Sequence, residues 1–412
     1  MKSLNLLILV TLFLSCNSNK KKPILEEKHE TIVHSISFPG DEKSELPHLT
    51  TNTGNAMLSW VTRLNDSTTQ FNYSTLINQK WEAPKPIITG TNWFVNWADY
   101  PSITENNGNL LSHFLKKSSN ETFSYDIKLN VLPEGESEWE TALPLHTDGT
   151  KTEHGFVTVL PFKENAFFVT WLDGRGMSMD HAGEHMSHNG SMSIRAAEVS
   201  KDGLISNKTL LDGKTCSCCQ TTAAITKNGP IVLYRDRTDE EIRDIAITRY
   251  IDGKWTEPKF IYNDGWKING CPVNGPKVAA LENNVAVTWF TAANDTPLVK
   301  LIFSKNGGED FSEPIIISNS EVLGRVDIEL IDSDNAIVSW METADETTYL
   351  KAMKVNSSGK KYTPLIISTL NDSRKTGFPQ MQYINDNMYF AWTAIANDIS
   401  TIKTVFVPLE AF

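Results

Sequence analysis

Two short segments set carboxylates and guanidinium groups side by side in the same local pattern. Leu172-Asp173-Gly174-Arg175 and Tyr234-Arg235-Asp236-Arg237 each continue an apolar run that ends in an aromatic residue. Glycoside hydrolysis needs a proton donor and a nucleophile or base roughly 5–9 Å apart. Asp173, Asp236 and Glu342 are the carboxylates the chain offers for that pair, with Asp99, Asp244 and Asp327 as further options. The competing reading of the same segments is Arg–Asp pairing that pins loops and performs no chemistry.

A second group of residues is soft. Apart from Cys16, the cysteines are Cys216, Cys218, Cys219 and Cys271. An even number in an exported chain reads as two disulfides. Neighbours Cys218 and Cys219 have Cα atoms only about 3.8 Å apart, so the relaxed pairing ties the 216–219 cluster to Cys271. A thiolate metal site is the alternative. Met177, Met179, His181, His185, Met186 and His188 crowd one stretch of chain, and thioether with imidazole favours copper, above all Cu(I). No cofactor is fixed by these residues; copper is the one they would take, and an exposed loop of incidental composition is the other reading.

The elements that must position these groups repeat along the chain. An apolar strand ending in an aromatic recurs as Leu58-Ser59-Trp60, Val169-Thr170-Trp171, Val232-Leu233-Tyr234, Val287-Thr288-Trp289, Val338-Ser339-Trp340 and Phe390-Ala391-Trp392. With Leu111-Ser112-His113-Phe114 as the second copy, the steps run from 51 to 63 residues. Each copy is preceded by a β-rich run and a turn, and followed by an alternating run. A Trp/Phe-x-Glu/x-Pro marker then closes most units, as in Trp81-Glu82-Ala83-Pro84 and Trp255-Thr256-Glu257-Pro258. Four strands repeated at this period predict a single all-β domain, a β-propeller of four-stranded blades. Seven first-and-second strand pairs are present but only six complete units, so seven blades are expected, with six as the alternative. The missing outer strand is available at residues 32–38, which would close the ring and remove an exposed edge.

Ser304-Lys305-Asn306-Gly307-Gly308-Glu309-Asp310-Phe311 resembles the Asp-box turn of the sialidase-like propellers, with Asn306 in place of the Asp. The resemblance covers the architecture and this one turn. In sialidases it goes with an arginine triad, a Tyr/Glu nucleophile pair and an Asp acid; their early Arg-Ile-Pro motif is absent here. The implied enzyme, if the chain is one, is an exo-sialidase-like glycoside hydrolase.

In an antiparallel blade the connections from strand two to three and from strand four to the next blade share one face. Eight of the nine arginines fall there or at adjoining strand starts, whereas the 29 lysines are spread over both faces. Arg175, Arg235, Arg237, Arg243 and Arg325, with Trp93, Trp97 and Trp266, are therefore the candidate ligand-binding residues. A guanidinium fork suits carboxylate or sulfate, and an indole plane suits a sugar ring, so an anionic glycan is the expected ligand.

The chain has 412 residues and a formal net charge of −12, which gives no support to nucleic-acid binding. Residues 1–15 read as an export signal, too short to span a bilayer. Phe13-Leu14-Ser15-Cys16 resembles a bacterial lipobox, which implies lipidation of Cys16. Residues 16–30 then form a flexible tether and 31–412 the propeller, a monomer in the bacterial cell envelope touching the membrane only through its lipid. The functional expectation is a surface protein that binds, and in its enzymatic version hydrolyses, an anionic glycan. The alternatives are a copper-handling protein using residues 177–192 and the cysteines, and a non-catalytic scaffold for partner proteins.

Overall fold

The computed structural model describes residues 32–177 and 190–412. Among these the strands form seven antiparallel sheets, each a blade. Blade 1 begins with Ser44–Asn52 and Asn55–Arg63, and blade 2 with Ser102–Asn106 and Asn109–Lys117. Blade 3 consists of His154–Phe162, Ala166–Asp173, Met192–Ser200 and Ile205–Thr215. Blades 4, 5 and 6 start at Thr222–Thr226, Lys277–Leu281 and Glu321–Leu330. Blade 7 takes Gln380–Ile384, Asn387–Ala396 and Ile399–Pro408 from the end of the chain, and its outer strand, His34–Ile36, from the beginning. His34, Ser35 and Ile36 pair with Phe406, Val405 and Thr404. The expected seven blades and the closure by the N-terminal strand are both present.

Blades stack face to face, so the second strand of each is covered on both sides. Its residues are therefore almost continuously buried, as in Asn335–Ala344, and not alternating. Trp60, Trp171, Trp289 and Trp340 are among the largest fully buried side chains. A buried indole N–H needs an acceptor, and a strand places residue i+2 on the same side as residue i. Trp60 accordingly donates to Thr62 (3.2 Å), Trp171 to Asp173 (3.0 Å) and Trp340 to Glu342 (2.6 Å). Trp289 uses Asp264, from a connecting loop, at 2.7 Å.

The innermost strands carry a second recurring device. In blades 1, 3 and 6 the strand shifts register near the arginine-bearing face, and a non-glycine residue there is left-handed: Leu46, Phe156 and Arg325. Such a bulge bends the strand and frees its N–H from the ladder. Each freed N–H is held by the preceding blade or its lead-in: Leu46 by Thr393 (3.1 Å), Phe156 by Asp99 (2.8 Å), Arg325 by Asn274 (2.8 Å). Gly155 must stay small because a Cβ there would lie 1.9 Å from Asp99 Oδ2. The Asp-box-like turn is also formed. Asn306 Oδ1 accepts the Asp310 N–H at 2.9 Å, the capping job an aspartate would do.

Candidate functional site

On the arginine-bearing face lies a cavity of about 300 Å³. Its walls come from four connections: Phe94–Asp99 from blade 1 to 2, Ser217 and Cys218 from 3 to 4, Cys271 and Val273 from 4 to 5, and Arg374 from 6 to 7. Tyr125, which opens the third strand of blade 2, and Glu153, just before blade 3, complete it. A parallel bridge joins Tyr125 to Glu153, so two residues 28 apart in sequence meet at one point. The Tyr125 hydroxyl lies 2.6 Å from Glu153 Oε1 and 3.2 Å from Asp99 Oδ2. Phe94 stacks on the Tyr125 ring at 4.0 Å and holds it in place.

This is a low-dielectric setting for two carboxyl groups. Burial pushes Glu153 up to about 8, helped by the charges of Asp99 and the neighbouring cysteines and opposed by the Tyr125 hydrogen bond. Burial likewise pushes Asp99 up to about 7, against the Phe156 N–H and Tyr125 hydroxyl that favour its ionised form. Both groups therefore retain protons close to neutral pH, as a general acid must. Asp99 is spatially the counterpart of Asn274, clamping a bulge with one oxygen, but its second oxygen holds the tyrosine. Glu153 is the half-buried member of the three, whereas Tyr125 and Asp99 are covered.

A second cleft of about 620 Å³ adjoins the first, with Asn96, Trp97 and Arg374 shared between them. Lys43, Arg63 and Lys375 line it beside Glu45 and Asp66. The Arg374 guanidinium sits 5.9 Å from the centre of the Trp97 ring, and Arg325 lies 5.1 Å from that ring. Trp97 itself stacks on Phe378 at 5.7 Å.

The carboxylates singled out by pattern do other work. Asp173 is fully buried and grips Arg175 through two contacts of 2.7 Å while accepting Trp171. Glu342 accepts Ser318 and Trp340, both at 2.6 Å, and pairs with Lys351 at 2.5 Å. Asp236 caps the Arg237 N–H at 2.7 Å, and burial pushes its carboxyl up to about 6. None of the three lines the cavity beside Tyr125. Asp244 binds the N–H groups of Gly265 and Trp266, and Asp327 those of Ile328 and Met381. Only Asp99 among the options reaches the cavity.

The arginines divide in the same way. Arg235 is 1% exposed and spends its donors on the carbonyls of Asn274, Arg243 and Phe290, with Trp266 packed 4.8 Å away. Arg325 serves the carbonyls of Ser373 and Gly377. Arg237 pairs with Glu241, and Arg243 with Glu241 and the Cys216 sulfur. Arg175 also faces Asp148 at 3.4 Å, next to the stacked rings of His146 and His154. Trp93 packs on Phe114. Of the candidate binding residues, Trp97 alone is presented to both cavities, and Arg374 is the guanidinium that accompanies it. Tyr125 and Glu153 escaped pattern reading because neither sits in a motif. Their shared signal was position: both fall on the arginine-bearing face, one opening a third strand and one opening a blade.

The four cysteines are free thiols, so the expected disulfides are not formed. Met177 packs against the blade 3–4 core. Met179, His181, His185, Met186 and His188, like Cys16 and the rest of the N-terminal segment, lie outside the described residues.

No family model and no curated protein matches the sequence. Solved structures match the fold. An ulvan lyase of the polysaccharide lyase family PL25 aligns with a TM-score of 0.58 at 11% identity, over 91% of this chain and 96% of that one. Polysaccharide lyase Uly1 gives 0.52 at 7% identity, over 91% and 92%. The endosialidase of phage phi92 gives 0.52 at 10% identity, over 92% and 69%.

Proposed function

The chain is a seven-bladed, sialidase-like β-propeller, and from that premise we propose that it binds an anionic glycan across Trp97 and Arg374 and cleaves it with Glu153. The observation that carries this reading is the Tyr125 hydroxyl held between Glu153 and Asp99 in the floor of a cavity that Trp97 and Arg374 also line. Because both carboxyl groups touch one hydroxyl, their near oxygens are at most about 6 Å apart, which rules out the wider spacing of inverting glycosidases. Glu153 donates its proton to the leaving glycosidic oxygen as that oxygen's bond to the sugar carbon breaks. A solvent water bonds to that carbon through its oxygen and gives up a proton that restores the donor. Tyr125 and Asp99 position the Glu153 proton. Trp97 offers a stacking plane for a sugar ring and Arg374 a fork for its carboxylate or sulfate. The glycan-active neighbours in fold space are consistent with this use of the face.

The test is turnover of sialylated, uronate-containing and sulfated glycans by the full chain in detergent. Release of product that Glu153→Gln abolishes supports the reading; a fully active Glu153→Gln, or no glycan bound at all, overturns it. Product chemistry separates two routes with the same donor, since elimination leaves an ultraviolet-absorbing double bond and hydrolysis does not. The N-terminal segment suits a lipid anchor in the cell envelope. Labelled fatty acid incorporated by the wild-type chain and not by Cys16→Ser is the expected outcome there.

A further inference from the structure

Three sulfurs approach one another beside the cavity that Tyr125 lines, and a fourth cysteine reaches the same loop, its sulfur 3.9 Å from Ser217 Oγ. Cys216 follows the outer strand of blade 3, Cys218 and Cys219 lie in the connection to blade 4, and Cys271 comes from the connection between blades 4 and 5. The Cys216 sulfur is 3.8 Å from that of Cys218 and 3.6 Å from that of Cys219. The sulfurs of these three all lie within 4.8 Å of one another. A disulfide brings sulfurs to about 2.05 Å. Thiolates bound to one metal at about 2.3 Å stand roughly 3.8 Å apart, the edge of a tetrahedron of that radius. The two spacings from Cys216 match that edge.

The surroundings fit the same conclusion. Arg243 Nη1 points at the Cys216 sulfur from 3.1 Å, a donor placed for a thiolate, and is itself held by Glu241 at 2.8 Å. The Cys216 N–H is fixed on the Arg235 carbonyl at 3.0 Å, and Arg235 is locked by three backbone carbonyls. Cys216 and Cys219 are buried, Cys218 is half-buried and Cys271 is exposed. Outer contacts that fix the orientation of ligands in this way are a regular part of metal sites.

The geometry points to a soft-metal site in which Cys216, Cys218 and Cys219 bind one thiophilic ion, Cu(I) or Zn(II), with Cys271 as the fourth sulfur. Thiolate ligands select these ions over hard cations such as Mg²⁺ or Ca²⁺. The site borders the cavity of the proposed glycan chemistry, which Cys218 and Cys271 also line.

The experiment uses the full chain carrying Cys16→Ser, reduced, stripped of metal and kept anaerobic. It is titrated with Cu(I) against a chromophoric Cu(I) chelator and, separately, with Zn(II) against a zinc indicator. The expected result is one ion per chain for at least one metal, an ultraviolet thiolate-to-metal charge-transfer band for Cu(I), and protection of the thiols from alkylation. Cys271→Ser, at an exposed position, is expected to fold and to weaken binding at least tenfold. Cys218→Ser is expected to remove the band. Failure to compete for either ion overturns the proposal, as does binding indifferent to both substitutions. Recovery of the four cysteines as two disulfides, seen as a loss of four hydrogens by mass, also overturns it. None of these readouts depends on glycan cleavage, so each proposal stands or falls separately.

Discussion

Glu153 Oε1 lies 2.6 Å from the hydroxyl of Tyr125, and the same hydroxyl reaches Asp99 at 3.2 Å. One oxygen thus couples two carboxyl groups that burial has already made reluctant to ionise. The pair titrates together, and its neighbours should move that titration in opposite directions.

The first prediction follows from those directions. With Glu153 pushed up to about 8 and acting as an acid, cleavage should hold steady at lower pH and fall above about pH 8. The Tyr125 hydrogen bond favours the ionised form of Glu153, so Tyr125→Phe should move the alkaline limb upward. The charge of Asp99 disfavours it, so Asp99→Asn should move the limb downward while its side-chain oxygen still holds the Phe156 N–H. Profiles of kcat/KM against pH for the three proteins check this. Limbs that move together, or not at all, would remove Glu153 as the donor.

Ligand capture should rest on Trp97 and Arg374. Arg374→Ala is expected to raise KM about tenfold or more for an anionic glycan, with kcat little changed, because a charge-assisted contact contributes about 1.5–3 kcal/mol. The effect should shrink as salt rises. Trp97→Ala should weaken neutral and charged glycans alike. Equal losses for charged and neutral ligands in Arg374→Ala would count against the anionic class.

Much of the architecture was legible because a period of about fifty residues with four strands leaves few ways to bury each blade. The spare N-terminal strand at residues 32–38 and the incomplete last unit could be matched by counting alone. The site was only half legible. Pattern drew attention to Asp173 and Glu342 because acids beside arginines or at strand ends look chemical. Their positions two residues after Trp171 and Trp340 carry another meaning, since residue i+2 in a strand lies beside the indole it must satisfy. Gly155 offers a comparable lesson. Its reason for being glycine is an oxygen of Asp99, 56 positions earlier, and no local sequence rule contains that contact.

Asp173 and Glu342 should accordingly behave as stability residues. Asp173→Ala leaves the Trp171 N–H without its acceptor and Arg175 with only the 3.4 Å contact to Asp148, and Glu342→Ala removes the acceptor of Trp340 and Lys351. Removing one partner of a buried pair costs about 3–5 kcal/mol. Because the Arg175 side chain keeps 32% of its surface in solvent, the loss at Asp173 should sit at or below the lower end of that range. Urea midpoints should fall in both variants while kcat of the folded fraction stays near wild type. A kcat loss without a midpoint shift would return them to the chemistry.

The pH dependence of stability has a definite sign. Burial raises Glu329 and Glu153 to about 8 and Asp99 to about 7, whereas such groups titrate near 4 in an unfolded chain. The folded protein therefore holds protons that the unfolded chain releases. That contribution is intact below about pH 4 and is lost as pH rises toward 8. Burial lowers His48 and His113 to about 3, so the unfolded chain takes up protons there that the folded one refuses. Their contribution is intact above about pH 6.5 and is lost as pH falls toward 3. The two trends oppose each other between pH 4 and 6.5. Above that window the three carboxyl groups are opposed by two thiols, Cys216 and Cys271, which hydrogen bonds from neighbouring thiols hold below their usual range. Urea midpoints should decline from pH 6.5 to 8, and Glu329→Gln, which cannot ionise in either state, should reduce the slope. A slope that Glu329→Gln leaves unchanged would mean that this carboxyl ionises normally in the folded protein.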